Sequence, residues 1–286
     1  MITLYEGAFA KLNLTLDVLG KRPDGYHDLK MVMQSITLCD EITVTDNDDQ
    51  GIRISTNLGF LPTNEKNLAV AAALRFYESL GKSPRGIDLT LKKSIPVCAG
   101  MAGGSSDAAA VLRALNEMEG SPYTPAELAK IGEQVGSDVP YCVLGTTALA
   151  EGRGEILMTL PSLPRCWVVV CKPDFPVSTP ELFGKIDRCK VRCRPDTAGM
   201  LQALEAGDLV GVARRMYNVF EDVLLPRHRQ EIEAIKGQLI DCGALGAAMS
   251  GSGPTVFGLF ADEKSARRAH ARLSGSYREV FLCTTL

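Results

Sequence analysis

The chain has 286 residues, of which 45% are hydrophobic and 23% charged, and its formal net charge is −3. Such a chain is long enough for one large domain or two ordinary ones. Its slight acidity argues against a nucleic-acid-binding protein, which usually carries a basic surface. No apolar run reaches the roughly 18 residues that would predict a membrane-spanning helix.

The N-terminal segment and the cysteines indicate the cellular compartment of the protein. The first stretch, MITLYEGAFAKLNL, has neither the basic segment nor the long apolar segment of a signal peptide. The nine cysteines are an odd number in a large chain, which favours reduced thiols in the cytoplasm. Cys189 and Cys193 have a spacing that could bind a metal, but no second pair accompanies them, so the sequence predicts no zinc site.

The first predicted element is a strand over residues 10–18, AKLNLTLDV, in which apolar residues alternate with Lys11, Asn13, Thr15 and Asp17. Alternation with a period of two residues is typical of a strand with one apolar and one polar face. Two interpretations are open: the polar face meets water, or it lines a cleft. The next segment, GKRPDGYHDL, is predicted to be a loop because Pro-Asp-Gly favours a turn.

Strands and helices follow through the first half of the chain. Strands are predicted near residues 41–46, 52–56 and 87–92, and a strand and turn at TTALAEGRGEIL. A helix lies between Asn67 as its cap and Gly81 as its stop. Another helix begins at Thr124, where Thr-Pro-Ala-Glu forms a capping box with proline at the first helical position, and it ends at Gly136.

A second series of predicted strands and helices begins after residue 160. PSLPR at 161–165 is the best candidate for a domain boundary. We predict a buried strand at CWVVVCK, a helix that begins with Ser178 and Glu181 as a capping box, and two or three helices within 196–240. GAAMSGSGPTVFGLF is predicted to be strand, glycine loop and strand, followed by a helix over 263–274 and a last strand, REVFLCTT. Strands and helices mix in both halves, which predicts an α+β fold rather than a doubly wound sheet.

The segment IPVCAGMAGGSSDAAAVLRALNEM, residues 95–118, places a glycine-rich loop directly before a helix. Glycines allow close approach of a ligand, Ser105 and Ser106 are predicted to cap the helix, and the positive helix end favours an anion such as phosphate. One face of the helix is apolar, with Val111, Leu112, Leu115 and Met118. The loop matches neither a Walker A loop nor the G-x-G-x-x-G dinucleotide motif. A tight connection without a ligand stays open as the alternative.

Two further motifs allow a structural and a functional interpretation. The glycines of MSGSGPTVF, residues 249–257, can form a simple hairpin or a ligand-binding loop. In GSDVP, residues 136–140, Asp138 can cap a short helix that begins near Pro140, or it can act in catalysis. Taken alone, this motif favours capping.

The polar-faced strand, the P-x-x-x-G-M-A-G-G-S-S-D loop and the M-S-G-S-G-P loop occur together in an order that resembles the GHMP kinase superfamily. AKLNLTLDVLGKRPDGYHDL, IPVCAGMAGGSSDAAAVLRALN, GSDVP and MSGSGPTVF are similar to the branch that phosphorylates 4-diphosphocytidyl-2-C-methyl-D-erythritol, and the resemblance spans nearly the whole chain. It implies a ribosomal S5 domain 2-like N-terminal domain (1–160) and a ferredoxin-like C-terminal domain (161–286). It also implies ATP-dependent phosphorylation of the substrate's 2-hydroxyl, a step of non-mevalonate isoprenoid synthesis.

The resemblance further implies roles for individual residues. Asp138 would be the base near the substrate hydroxyl, with Lys11 beside it, Asn13 in the same cleft and Asp17 in a supporting position. The ATP phosphates would lie on the loop residues Pro96, Gly100, Met101, Ala102, Gly103, Gly104, Ser105 and Ser106. Mg²⁺ is expected between ATP oxygens, and its protein ligands are left unassigned, with Ser106 as a candidate.

For the cytidine end, the resemblance implies that Tyr26 stacks on cytosine and that His27 hydrogen-bonds the base edge. Phe183 would be the second stacking aromatic, with Thr179 nearby and Phe175 as a rival. Two residues of the C-terminal glycine loop complete the expected substrate site, Gly251 and Ser252.

Two alternatives stay open at this point. One is a superfamily kinase with another alcohol acceptor, such as mevalonate or homoserine, against which PDGYHDL argues. The other is a non-catalytic nucleotide- or sugar-binding sensor, which predicts loss of the base or the phosphate loop, whereas both motifs are present. The expected partner is a small cytidine-diphosphate-linked molecule, with no nucleic acid or membrane, and the protein is expected to be a cytoplasmic monomer or weak homodimer.

Overall fold

The computed structural model of the chain describes residues 1–189, 191 and 193–286. The strands are β1 (Thr3–Lys21), β2 (His27–Gln50), β3 (Ile52–Thr56), β4 (Arg85–Lys92), β5 (Thr147–Gly152), β6 (Ile156–Thr159), β7 (Trp167–Lys172), β8 (Tyr217–Asn218), β9 (Gly246–Met249), β10 (Val256–Phe260) and β11 (Glu279–Thr284). The helices are α1 (Leu68–Ser79), α2 (Gly103–Met118), α3 (Pro125–Glu133), α4 (Val139–Leu144), α5 (Thr179–Ile186), α6 (Thr197–Glu205), α7 (Leu209–Arg214), α8 (Pro226–Asp241) and α9 (Glu263–Ser274), with a 3₁₀ helix at Val219–Val223.

Within the described residues, the strands form two sheets. The larger has the order β3–β4–β2–β1–β8, with β5 paired to β2 and β6 paired to β5, and it combines parallel and antiparallel pairs. The smaller has the antiparallel order β11–β7–β10–β9. One mixed and one antiparallel sheet, interspersed with helices, confirm the predicted α+β class. None of the helices in the described chain combines the length and apolar character needed to cross a bilayer.

The described residues divide into two compact units. The first contains Met1–Ala10, Leu38–Val97 and Ala102–Gly145, and the second contains Lys11–Thr37, Cys98–Met101 and Thr146–Leu286. In the first unit, α1 and α2 cover the strands, and its core is filled by alanines of both helices together with the aromatic rings of Phe76 and Tyr77. Small alanine side chains allow two helices to pack closely.

Helix ends follow the predicted caps in most places. Asn67 accepts a hydrogen bond from the Ala69 N–H at 3.0 Å, and Thr124 forms the full capping box with Glu127. α3 is shorter than predicted, because it ends at Glu133 rather than Gly136. The physical reason is a tighter turn: the Val135 N–H donates to the Gly132 carbonyl, three residues back, at 2.9 Å.

The polar face of β1 does not meet water, so that interpretation of the alternation is wrong. The exposed fractions of Lys11, Asn13, Thr15 and Asp17 are 4%, 0%, 0% and 6%. Burial is tolerated because these groups have partners within the second unit. Thr15 accepts a hydrogen bond from the Val32 N–H at 3.1 Å, and Arg194 donates to Asp17 at 2.6 Å.

Candidate active site

The glycine loop of residues 95–102 enters α2 through a left-handed residue. Ala102 is the N-terminal cap with φ 57°, and its methyl side chain cannot accept a hydrogen bond. The Ser106 N–H donates to the Ala102 carbonyl at 2.8 Å, so Ser105 and Ser106 lie in the first turn and the prediction that they cap the helix is wrong. A helix start without a capping side chain leaves its first N–H groups to a ligand, as an anion site requires.

The Ser106 side chain points into the first unit. Its hydroxyl donates to the Phe9 carbonyl at 2.5 Å and lies 3.3 Å from the Cys142 sulfur, and the residue is 1% exposed. The hydrogen bond to the backbone carbonyl ties α2 to β1, and a residue that is 1% exposed offers a cation little access to its hydroxyl oxygen. Ser106 is therefore not favoured as a magnesium ligand.

A buried ionic cluster of the first unit involves the segment before Pro96 and helix α2. The Lys93 ammonium contacts both Asp40 and Asp107, and the three side chains are 4%, 0% and 5% exposed. Asp40 also accepts hydrogen bonds from the Ser94 and Ile95 N–H groups, the latter at 2.8 Å. The segment before Pro96 and the first turn of α2 are thus held by one lysine. Sequence reasoning missed this cluster because its members are far apart along the chain.

Asp107 titrates differently from an exposed carboxyl. Burial raises its pKa to about 7, Lys93 opposes this rise, and Asp40 adds to it. The unfolded chain has an Asp pKa near 3.9, so the folded protein binds more protons between these values. The resulting contribution to stability is present below about pH 4 and is lost as the pH rises through about 7.

We expect Asp107→Asn to stabilise the protein at about pH 8 by roughly 1–2 kcal/mol, because Lys93 then faces one buried carboxylate instead of two. The gain should shrink towards pH 5, where Asp107 is protonated. Urea unfolding at both pH values measures the difference. Asp208→Asn is the control, since Asp208 caps α7 by accepting from the Gly211 N–H and an asparagine can do the same. A variant less stable than the parent at pH 8 would show that the Lys93–Asp107 attraction dominates.

In the second unit, the lysine predicted to be catalytic lies beside Met101, near the end of the first glycine loop. The Lys11 N–H donates to the Met101 carbonyl at 3.2 Å, and the Lys11 ammonium donates to Asn13 Oδ1 at 2.7 Å. The Asn13 amide also contacts the Met31 sulfur at 3.3 Å. Asn13 therefore orients the ammonium, which fits its predicted place on the same face of β1.

Asp138 lies in the first unit at the start of α4, but its carboxylate does not cap that helix within the described residues. The second residue of α4 is Pro140, which has no N–H group to donate to a cap. The capping interpretation, which the motif alone favoured, is therefore wrong. The meeting of Asp138 with Lys11 stays a prediction.

Two of the residues predicted at the cytidine end, His27 and Phe183, lie together in the second unit. The His27 ring stacks on Phe183 with a centroid distance of 4.5 Å, and Phe183 packs edge-on against Phe220. His27 Nε2 lies 2.7 Å from Asp187 Oδ1. This hydrogen bond, with the charges of His27 and Lys21, holds the pKa of Asp187 below its usual range. Sequence reasoning missed Asp187, which follows α5 with no motif around it.

The other predicted substrate residues make contacts with other partners. Tyr26 is 56% exposed, with the Arg153 guanidinium 5.3 Å from its ring centre. Thr179 and Ser252 share a hydrogen bond at 2.7 Å. Phe175 instead stacks on His228 at 4.1 Å. Of the two rival aromatics, Phe183 is therefore the one beside His27.

The second glycine loop packs against the first within the second unit. Ser250 donates its hydroxyl to the Gly100 carbonyl at 2.9 Å, and a Cβ atom on Gly251 would lie 2.7 Å from the same oxygen. The loop joins β9 and β10 as an antiparallel hairpin. Close approach of two backbones, in addition to the turn itself, therefore explains a glycine at position 251.

Two family descriptions match the chain. They are the GHMP kinases N terminal domain, over residues 67–146, and the GHMP kinases C terminal domain, over residues 200–279. The first therefore includes the glycine loop of residues 95–102 and Asp138, and the second includes both strands around the second glycine loop.

Curated relatives match over nearly the full length. The 4-diphosphocytidyl-2-C-methyl-D-erythritol kinase of Alkaliphilus metalliredigens is 46% identical, covering 96% of this chain and 93% of its own. The kinase of the same name from Exiguobacterium sibiricum is 45% identical, covering 100% and 99%. A crystal structure of 4-(cytidine 5'-diphospho)-2C-methyl-D-erythritol kinase superposes with a TM-score of 0.82 at 33% identity and covers 99% of each chain. The homoserine kinase of Cytophaga hutchinsonii, at 20% identity, has a TM-score of 0.76, covers 99% of this chain and 94% of its own, and shares the fold.

Proposed function

The chain belongs to the 4-diphosphocytidyl-2-C-methyl-D-erythritol kinases, a branch of the GHMP kinases, and we propose that Lys11 and Asp138 carry its chemistry. It is a small-molecule kinase of isoprenoid synthesis that phosphorylates the 2-hydroxyl of this cytidyl alcohol with ATP. The observation that most supports the assignment is the buried Lys11, held by Asn13 and hydrogen-bonded through its own N–H to Met101 of the phosphate loop.

Phosphoryl transfer depends on positioning and charge neutralisation more than on covalent steps. The loop and the first turn of α2 supply N–H groups for the ATP phosphates. The Asp138 carboxylate accepts the proton of the attacking hydroxyl, and the Lys11 ammonium stabilises negative charge on the transferring group. Because Asn13 holds the ammonium at 2.7 Å, little reorganisation is needed during the reaction.

Mg²⁺ is the expected companion of ATP, and it would neutralise charge on the phosphate oxygens. Magnesium in kinases is held largely by those oxygens and by water, with one or two protein oxygens. No cluster of three or more His, Cys, Asp or Glu side chains suited to a metal occurs in the described residues, which suits an ion delivered with ATP. With the Ser106 hydroxyl bound to Phe9, we assign no protein ligand.

The cytidine end would be bound by Phe183, His27 and Tyr26. The exposed Tyr26 ring supplies an apolar face on which the base can stack, and the His27 ring supplies a polar atom. Asp187 orients the His27 ring, because its Oδ1 lies 2.7 Å from His27 Nε2. Recognition of a base needs both kinds of contact, because stacking alone accepts any base.

We expect Phe183→Leu to raise the KM for the cytidyl substrate about 10-fold while kcat falls less than about threefold. The reason is that the ring packs against His27, away from the reacting hydroxyl, and a lost aromatic contact is worth roughly 1–1.5 kcal/mol. Steady-state kinetics at saturating ATP measure the change. Phe175→Leu is the matched control and should leave this KM unchanged. A larger effect at Phe175 would reverse the assignment of the stacking residue.

The test of the function is ATP consumption by the purified protein with Mg²⁺ and 4-diphosphocytidyl-2-C-methyl-D-erythritol. Mevalonate, homoserine and galactose are run in parallel. Turnover with the cytidyl substrate alone is the expected result. Turnover with another alcohol would overturn the roles of Tyr26 and His27, and ATP binding without turnover on any acceptor would support a sensor. A domain boundary between residues 160 and 161, a cytoplasmic location and a monomer or weak homodimer stay predictions.

A further inference from the structure

Ser250 is a buried residue of the second glycine loop that the chemistry above does not use. It is 0% exposed, and its backbone is fixed by a short turn. The Ser250 N–H donates to the Thr255 carbonyl at 2.8 Å, and the Gly253 N–H donates to the Ser250 carbonyl at 2.9 Å. With the backbone held on both sides, the direction of the Ser250 hydroxyl is determined by the hairpin.

That hydroxyl connects two segments of the second unit that are remote in sequence. It donates to the Gly100 carbonyl at 2.9 Å and accepts from the Asn13 N–H at 3.3 Å. Gly100 belongs to the predicted phosphate loop, and Asn13 is the residue that holds the Lys11 ammonium. One side chain therefore joins the loop that would hold the donor phosphates to the strand that carries the catalytic lysine.

The three segments are closely packed where Ser250 joins them. A Cβ atom on Gly100 would lie 2.2 Å from the Ser250 carbonyl oxygen, so the two backbones are in direct contact. At the next residue of the loop, the Lys11 N–H donates to the Met101 carbonyl at 3.2 Å. The loop is thus fastened to β1 directly at Met101 and through Ser250 at Gly100.

The hairpin that carries Ser250 is itself anchored. The Asn218 amide donates to the carbonyls of Met249 and Gly251, both at 2.8 Å, and Glu221 accepts from the Met249 N–H at 2.8 Å. Asn218 belongs to β8, which pairs in parallel with β1 at Leu16. The hairpin is therefore attached through Asn218 to β1, the strand that also carries Lys11 and Asn13. This attachment restricts movement of the Ser250 hydroxyl relative to β1.

We propose that Ser250 is a positioning residue, whose hydroxyl sets the place of the phosphate loop relative to the strand that bears Lys11 and Asn13. This inference rests on the proposed roles of the loop and of Lys11. Transfer between two bound substrates is sensitive to geometry, and a displacement of about 1 Å can cost about 100-fold in rate. Loss of the hydroxyl should therefore lower the rate of transfer more than the affinity for either substrate.

The experiment compares Ser250→Ala with the parent enzyme. We expect kcat to fall about 10- to 100-fold, while the KM values for ATP and for the acceptor each change less than about threefold. Ser250→Cys fills nearly the same space with a much weaker donor, and it tests the same point if the alanine variant does not fold. A fall in melting temperature with kcat unchanged would show a merely structural role and would overturn the proposal.

Thr255→Val is the matched control. Thr255 is also 0% exposed and lies in the same hairpin, but its hydroxyl has no hydrogen-bond partner among the described residues. Its replacement should leave kcat unchanged. The kcat and KM values of each variant are compared with those of the parent enzyme, on whichever acceptor the parent uses. A parent inactive on the cytidyl substrate contradicts the proposed function, whereas an active parent with an unchanged Ser250→Ala variant contradicts only this inference.

Discussion

Asp138→Asn lowers kcat by about 10³-fold and leaves the KM for ATP within about threefold, if Asp138 is the base of this kinase. The amide has nearly the shape of the carboxylate but cannot accept the proton of the attacking hydroxyl, and general bases contribute about 10²- to 10⁴-fold. Single-turnover transfer of labelled phosphate measures the chemical step directly.

Asp208→Asn is the matched control for this prediction. Asp208 stands before α7 and accepts from the Gly211 N–H at 2.9 Å, a bond that an asparagine also makes. Its kcat should equal that of the parent. If Asp138→Asn retains more than about a tenth of the parental kcat, the loss is smaller than the contribution of a general base. Proton removal is then not the main role of Asp138, and Lys11 becomes the stronger candidate for the base.

Gly100→Ala should destabilise the protein by about 2–4 kcal/mol and reduce turnover at least about 100-fold. Two causes act together. The residue has φ +74°, which side-chain-bearing residues rarely adopt, and its Cβ would lie 2.2 Å from the Ser250 carbonyl oxygen. Relief of that overlap would have to separate the two glycine loops. Urea unfolding and steady-state kinetics measure the two effects on the same preparation.

Gly120→Ala separates backbone strain from overlap. Gly120 follows α2 with φ +82°, and no described atom lies within 4 Å of the Cβ that it would gain. Its replacement should cost only the strain of the left-handed backbone, about 1 kcal/mol, with kcat unchanged. Equal losses at positions 100 and 120 would mean that the two glycine loops do not approach each other as closely as the distances indicate.

Local patterns predicted the elements well where the cause is itself local. Asn67 and Thr124 cap their helices because a side chain and an N–H group two or three residues away suffice for a cap. α9 spans Glu263–Ser274, the predicted range, because charged and apolar residues alternate with helical period. The glycine loop before α2 was recognised from its glycines, and its binding of phosphate stays a prediction. The start of α2 was misplaced because Ala102 adopts a left-handed conformation that alanine rarely takes.

The proposed site residues come from motifs and from the family resemblance, and their roles stay predictions. The structure shows two contacts among them, Lys11 with Asn13 and His27 with Phe183. Their partners were not identified. Asp187 has no motif around it, and Asp40, Lys93 and Asp107 are ordinary charged residues in the sequence. Each gains its role through a neighbour more than ten positions away, which composition and spacing do not encode.

The sequence by itself determined the α+β class, most helix and strand positions, the kinase family and the glycine loops, because periodicity, caps and short motifs depend on neighbours a few residues apart. Only the tertiary structure decided that the polar face of β1 is buried and that Ser250 joins Gly100 to Asn13. These features depend on which distant segments meet. A buried polar group is stable only with a partner, and folding, rather than local sequence, supplies that partner.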